Sequence, residues 1–339
     1  MDIQYLFPNL YQRSALATTT GRNTLVLPSN LIIGLGSATV IKQVATSIAL
    51  NTAENWDSAY QSYATPATRA GKDVCVYVVS GGNFLLSPLT TNPTGYNNTT
   101  SRKIGGFHCL CLDAGTIAFH SLTGYLTGDI IPYSMWDLNF KPSCPSPSGM
   151  VYSAYAGLWV DIYLQSGTGT STASAFNGTI TDTRIWNDHV DDFAAVGKRM
   201  LSDAEFQAIA EGSNQKTNIL GSADPVTTGA HVDTASRRMI SNIGCEDCCG
   251  VTYQWLLDTQ FKIGGLVDPT VDPAFSWYAI PGNKGSLYRQ GTTGDAKLLA
   301  GGFWSAGSYC GSRSRYADGV RWFANSSIGS RGCAIGINK

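Results

Sequence analysis

Short apolar runs, separated by turn residues, recur through residues 1–148, and this pattern is typical of β-strands. The strongest run, residues 74–79 (VCVYVV), ends at Ser80-Gly-Gly-Asn83, which predicts a hairpin turn. Further strands are predicted at residues 25–27, 31–35, 38–41, 47–50 and 103–112. Many short strands separated by turn residues favour a sandwich, so residues 1–148 are predicted to form an N-terminal β-sandwich.

The pattern changes at residues 141–149 (KPSCPSPSG), a proline-rich segment that indicates a linker. A second domain is therefore predicted over residues 149–339, beginning with a strand at 158–164. Helical spacing appears at 188–195 and again after Ser202, where Glu205 completes a capping box. Beyond residue 250 we expect loops and short strands, which makes the fold class α+β and mostly β.

Charge and hydropathy exclude several kinds of partner. The 23 Lys and Arg residues nearly balance the 24 Asp and Glu residues, so we expect no nucleic-acid partner. No apolar run is long enough to predict a membrane-spanning helix or membrane insertion. The first ten residues have no basic segment followed by an apolar run, so we also expect no signal peptide and synthesis in a cytoplasm.

The nine cysteines do not fit a complete disulfide framework, because their number is odd. Cys245, Cys248 and Cys249 form a cluster, but a second pair of ligands at zinc-site spacing is missing. Cys109 and Cys111 alternate along a predicted strand and fit one buried face. We therefore interpret the cysteines as buried free thiols.

Residues 298–333 have the composition of a binding surface. They are rich in Gly, Ser, Tyr, Trp, Phe, Arg and Asn, and Asp318 is their acidic residue. Rigid aromatic side chains provide contact area at low entropic cost, and small polar side chains provide adaptable hydrogen bonds. The same rings could instead pack beneath loops, so composition alone leaves both readings open.

Separated, ordered motifs add a family resemblance. Residues 197–210 (GKRMLSDAEFQAIA), 247–255 (DCCGVTYQW), 301–304 (GGFW) and 328–332 (IGSRG) resemble the C-type-lectin-like fold shared by formylglycine-generating enzymes and the variable proteins of diversity-generating retroelements. Upstream motifs resemble the major tropism determinants of phages: residues 93–108 (PTGYNNTTSRKIGGFH), 133–142 (YSMWDLNFKP) and 159–164 (WVDIYL).

This resemblance implies a receptor-binding protein at the tail-fibre tip of a virion, synthesised in the host cytoplasm. It further implies a homotrimer, in which the N-terminal domain takes part, and a bacterial cell-surface receptor, either protein or glycan. The family also has an N-terminal β-prism. Residues 1–70 resemble the start of the sandwich, so we expect no prism in this chain.

In this family a reverse transcriptase diversifies mainly Asn codons of a template copy. The framework must therefore tolerate almost any side chain at these positions, so the varied side chains should be exposed and should not stabilise the fold. Trp304, Gly311, Arg313 and Arg331 would then be framework residues, with Trp304 buried and both arginines bonded to carbonyls or a carboxylate. Arg315, Arg321 and Trp322 are candidate extra contacts. Matching the motif anchors predicts these receptor-binding positions in the variable region, about 298–335: Phe303, Ser305, Ala306, Gly307, Tyr309, Tyr316, Asp318, Gly319, Phe323, Asn325, Ser327 and Ile328.

Other functions fit less well. A formylglycine-generating oxidase resembles this chain at Cys310, but Ala306 stands where the second active-site cysteine is expected. His108, His120, His189 and His231 lie in no recognisable nucleophile motif. A diversified bacterial surface protein is the other alternative. We predict no enzyme and no cofactor, while a structural Ca²⁺ at Asp268 and Asp272 stays open.

Overall fold

A computed structural model describes residues 16–19, 21–27, 32–35, 39–42, 46–260, 275–279, 286–290 and 296–338. Two compact units divide the chain: Met1–Ile162 with Ala334–Lys339, and Tyr163–Cys333. The domain boundary predicted at residue 148 stays a prediction. Within the described part of the chain, no helix has both the length and the apolar character needed to span a membrane.

The first unit contains short strands joined by turns and 3-10 segments, together with one turn of α-helix. Its strands and helix are β1 Ala17–Thr18, β2 Thr24–Leu27, β3 Ile32–Leu35, β4 Thr39–Lys42, β5 Thr46–Ala49, α1 Pro66–Arg69, β6 Asp73–Val79, β7 Phe84–Ser87, β8 Ser101–His108, β9 Trp136–Asp137, β10 Phe140–Pro142, β11 Met150–Ser153, β12 Leu158–Asp161 and the end of β22 Gly332–Asn338. The sheets have the orders β1-β2-β5, β3-β4, β7-β6-β8-β9 and β10-β22-β12-β11.

Strand β6 shows why the apolar run at 74–79 predicts so well. Val74, Val76 and Val78 pack into one core cluster, which includes Leu25 and Ile48. The alternate residues, including Tyr77, pack into a second cluster on the opposite face. A strand buried on both faces needs a continuous apolar run rather than strict alternation. The predicted strands are confirmed, although β8 ends at His108 and β12 at Asp161; the N-terminal sandwich stays a prediction.

The second unit combines two helices with a four-stranded sheet of order β20-β19-β16-β21. Its elements are β13 Gln165–Ser166, β14 Ala173–Ser174, α2 Trp186–Ala195, β15 Arg199–Met200, α3 Asp203–Ile209, β16 Tyr253–Gln260, β17 Phe275–Ala279, β18 Ser286–Gln290, β19 Ala296–Gly301, β20 Gly311–Val320, β21 Ile328–Gly329 and the start of β22. The sequence predicts only loops and short strands after residue 250, but β16 has eight residues and β20 has ten. Both strands are long because they pair antiparallel with β19, one on each side of it.

Local sequence signals set the start of α3. The Ser202 side chain accepts a hydrogen bond from the Glu205 backbone N–H, and the Glu205 carboxylate accepts one from the Ser202 backbone N–H. The predicted capping box is therefore confirmed. Phe206 and Ile209 are fully buried on the inner face of the helix. This helix packs against the sheet that carries the candidate site.

Candidate functional site

The predicted surface is built on the β19–β20 connection, on β20 itself and on the β20–β21 connection. β20 is the edge strand of the sheet, so its side chains reach solvent more readily than those of central strands. Gly302 turns the chain after β19 with φ of +84°, and a Cβ there would lie 2.8 Å from the Cys310 backbone. That close approach requires glycine and fixes the start of the connection.

Three large aromatic side chains among the predicted positions are exposed. Tyr309, Tyr316 and Phe323 expose 78%, 40% and 39% of their surface. Ser305 and Asn325 are exposed as well, and Phe303, Ala306, Gly307 and Ser327 are partly buried. Exposed aromatic side chains of this size favour an interaction site in this segment.

Two predicted positions are not open, which corrects the expectation that all of these side chains are exposed. Ile328 is 1% exposed and packs in the core with Trp255 and Leu299. Gly319 is buried, and a Cβ added there would lie 3.0 Å from Leu299 and 3.1 Å from Trp255. Both positions face the core of the sheet. Asp318 lies in β20, and its side chain falls outside the described structure.

The framework predictions have mixed outcomes. Arg331 is fully buried, and its Nε donates to Gln254 Oε1 at 3.0 Å while its guanidinium also donates to the Glu246 carbonyl. Its predicted structural role is confirmed. Trp304 was predicted to be buried but is only partly buried. Its ring packs against the outside of a core cluster and makes an edge-on contact with Phe303. Arg313 is exposed, so the prediction that it anchors a loop is not supported.

Arg315, a candidate extra contact, is held in the framework. Its guanidinium pairs with the Asp203 carboxylate and lies 5.1 Å from the centre of the Phe206 ring. Its Nη1 also donates to the carbonyls of Ser312 and Ser314, at 3.0 and 2.8 Å. These contacts tie β20 to the start of α3, because a guanidinium can bond several acceptors at once.

Tyr253 was not predicted from the sequence as part of this surface. Its ring centre lies 5.4 Å from that of Phe303 and 5.7 Å from that of Tyr316, with tilted planes. Aromatic pairs attract each other at such separations. The three rings come from β16, from the turn after β19 and from β20. The three rings come together only because these strands pair in the sheet. The sequence around Tyr253 therefore carries no local signal that this residue belongs to the surface.

Cys310 is the position at which the chain resembles a formylglycine-generating oxidase. Cys310 is buried, and burial raises the pKa of its thiol to about 11, so it stays protonated at neutral pH. All nine cysteines are buried and free, as predicted. In the described residues, no group of three His, Cys, Asp or Glu side chains could hold a metal ion. The Ca²⁺ candidates Asp268 and Asp272 lie outside those residues.

The histidines have structural partners. His108 Nδ1 lies 2.9 Å from Asp73, His231 Nδ1 lies 3.0 Å from Asp247, and His120 Nδ1 accepts a hydrogen bond from a backbone N–H. His189 Nδ1 lies 2.6 Å from Gln165 Oε1. Burial lowers the pKa of His189 to about 3, which keeps it neutral. Each of the four histidines therefore has a hydrogen-bond or ion-pair partner within the fold.

Comparison with known proteins agrees with this geometry. A family model described as the Mtd second domain matches residues 15–137. The tail fiber receptor-binding protein of Bordetella phage BPP-1 is 31% identical over 320 residues, covering 88% of this chain and 80% of that protein. The chain belongs to the major tropism determinant (Mtd) family.

Solved Mtd structures resemble this chain over nearly its whole length. The Major Tropism Determinant I1 variant is 28% identical with a TM-score of 0.76, and covers 96% of this chain and 84% of its own. The M1 variant is 27% identical with a TM-score of 0.78, and covers 98% and 86%. The mostly β, lectin-like fold class implied by the sequence resemblance is confirmed.

Proposed function

We propose that this member of the Mtd family is the receptor-binding protein of a phage tail fibre and that it recognises a bacterial surface molecule without catalysis. The observation that carries the proposal is the exposure of three aromatic side chains in the predicted variable region, Tyr309, Tyr316 and Phe323. They lie on β20 or in the connections beside it, whereas other residues, such as Trp255 and Arg331, are buried. A related protein is named a tail fiber receptor-binding protein, which supports the same function.

The division between surface and framework explains how such a surface could change its receptor. Side chains at Tyr309 and Tyr316 can be replaced with little loss of core packing, because solvent already surrounds much of each ring. Diversification by a retroelement would then alter recognition and leave the fold intact. A near-copy of the coding region for residues 298–335 that differs mainly at adenines, next to a reverse transcriptase gene, would support this part of the proposal.

A single surface of this kind is small. About a dozen side chains would bury roughly 400–600 Å² per subunit, which is at the lower end for specific interfaces. A homotrimer would present three such surfaces, and several fibres would present more, so effective concentration would raise the overall affinity. We include the trimer in the proposal for this reason. A monomeric form that binds host cells as tightly as the native assembly would contradict it.

The test is adsorption of the full-length protein to intact cells of the strain on which its phage forms plaques. The double variant Tyr309→Ala with Tyr316→Ala should lose binding by at least about tenfold, since aromatic anchors dominate interfaces. Its melting temperature should stay within about 2 °C of the wild type. Tyr155→Ala is the control and should bind normally, because Tyr155 is an exposed tyrosine of the first unit, outside the proposed surface. Normal binding by the double variant would refute this site.

A further inference from the structure

The fixed residue Tyr253 lies in the middle of the proposed receptor-binding surface. It begins β16, where its backbone N–H donates to the Ser327 carbonyl at 2.9 Å, and it pairs in parallel with Ile328. The next residue, Gln254, pairs with Ala300 of β19. Strand pairing on both sides therefore fixes its backbone between the two connections that carry the exposed rings.

The ring of Tyr253 links two positions of the variable region. Phe303 and Tyr316 each lie within 6 Å of it, centre to centre, and their planes are tilted from its own by 30° and 41°. Tyr253 therefore spaces these two side chains and supports both. Its own position lies well before residue 298, outside the segment predicted to diversify. When the side chains at 303 and 316 change, this ring stays.

The hydroxyl of Tyr253 is available at the surface. The residue is partly buried, and no described residue bonds to the hydroxyl. A polar atom that is both fully buried and without a partner would be enclosed by the protein, and the Tyr253 oxygen is not such an atom. Since it has no partner among the described residues, it reaches solvent. Burial, with Cys310 and Tyr316 nearby, raises the pKa of Tyr253, so the phenol is neutral at physiological pH. It offers one donor and one acceptor beside apolar rings.

We propose that Tyr253 is a fixed receptor contact that every diversified version of this surface retains. Its ring supports the variable aromatic side chains, and its hydroxyl forms a hydrogen bond with the receptor. The ligand chemistry that fits is a neutral group with a flat apolar face and an adjacent polar atom. The inference rests on the proposed receptor-binding function and adds a contact outside the variable region.

The deciding variant is Tyr253→Phe, which keeps the ring and removes the hydroxyl. Binding of the full-length protein to intact host cells should weaken by about 3- to 10-fold, the range expected for one neutral hydrogen bond. The melting temperature should stay within about 1 °C of the wild type. Tyr96→Phe is the matched control, because Tyr96 is a partly buried tyrosine packed on a core cluster of the first unit. It should bind normally.

A second pair of proteins tests whether the contact is independent of the variable side chains. In a Phe323→Ser background, Tyr253→Phe should weaken binding by the same factor as in the wild type, because Phe303 and Tyr316 are the rings that Tyr253 contacts. Equal binding by wild type and Tyr253→Phe would overturn the inference, as would a loss of binding that comes with a fall of several degrees in melting temperature. If the folded wild type fails to bind host cells at all, the proposed function itself fails, and that outcome is distinct.

Discussion

Replacing Ile328 by alanine tests the claim that this position belongs to the core and not to the receptor-binding surface. Ile328 is 1% exposed and packs with Phe193, Met200, Trp255 and Leu299. The substitution removes three buried carbon atoms, worth about 2.4 kcal/mol at about 0.8 kcal/mol each. The cavity left among large neighbours adds to this, so we expect a total loss of about 3–4 kcal/mol.

Differential scanning calorimetry of the full-length protein measures this loss. For a folding unit of this size, 1 kcal/mol lowers the melting temperature by about 2–4 °C, so the melting temperature should fall by about 6–16 °C. The matched control is Ile335→Ala, because Ile335 is 62% exposed and its truncation should change stability by less than about 0.5 kcal/mol. If both variants melt like the wild type, Ile328 is not a core residue and the division between framework and surface is wrong.

Two further predictions concern the framework. Burial lowers the pKa of His231, but the nearby Asp247 carboxylate raises it by more, so the net pKa is raised. The pair therefore stabilises the fold most below about pH 6.5, and this contribution is lost as the pH rises through the folded-state pKa of His231. The difference in guanidinium midpoint between wild type and His231→Gln should therefore be largest near pH 6 and shrink toward pH 9; a difference that grows toward pH 9 would contradict this. Ser202→Ala removes the N-cap acceptor of α3 and should cost about 1 kcal/mol in urea unfolding, whereas Ser305→Ala, at an exposed position, should cost almost nothing.

Features set by neighbouring residues could be predicted from the sequence. The turn at residues 80–83 is one: the Val79 N–H donates to the Asn83 carbonyl, and Gly81 and Gly82 adopt positive φ as the hairpin requires. The capping box at Ser202 is another, because both of its hydrogen bonds lie within four residues. In each case, the residues that determine the structure are adjacent in the chain, so no knowledge of the tertiary fold is needed.

Features set by distant pairing could not be predicted in this way. Tyr253 joins the surface because β16 lies between β19 and β21, strands that come from much later in the chain. Gly319 is closed off by Trp255, whose ring approaches from another strand of the same sheet. Composition indicates that the C-terminal region is rich in binding-type residues, but the strand register determines which of them face outward.

Strand β20 carries framework and surface residues next to each other. Arg315 pairs in register with Ala300, and its side chain contacts Asp203 and Phe206 of α3. Tyr316 pairs in register with Leu299, and its side chain reaches solvent. Successive side chains of a strand point to opposite faces, so neighbours can have opposite roles. The contacts of Arg315 hold this part of β20, so we predict that a change at Tyr316 leaves the strand in place. In this region, the face of the strand on which a residue lies decides whether that residue can be substituted. The range 298–335 alone therefore does not separate replaceable residues from framework residues.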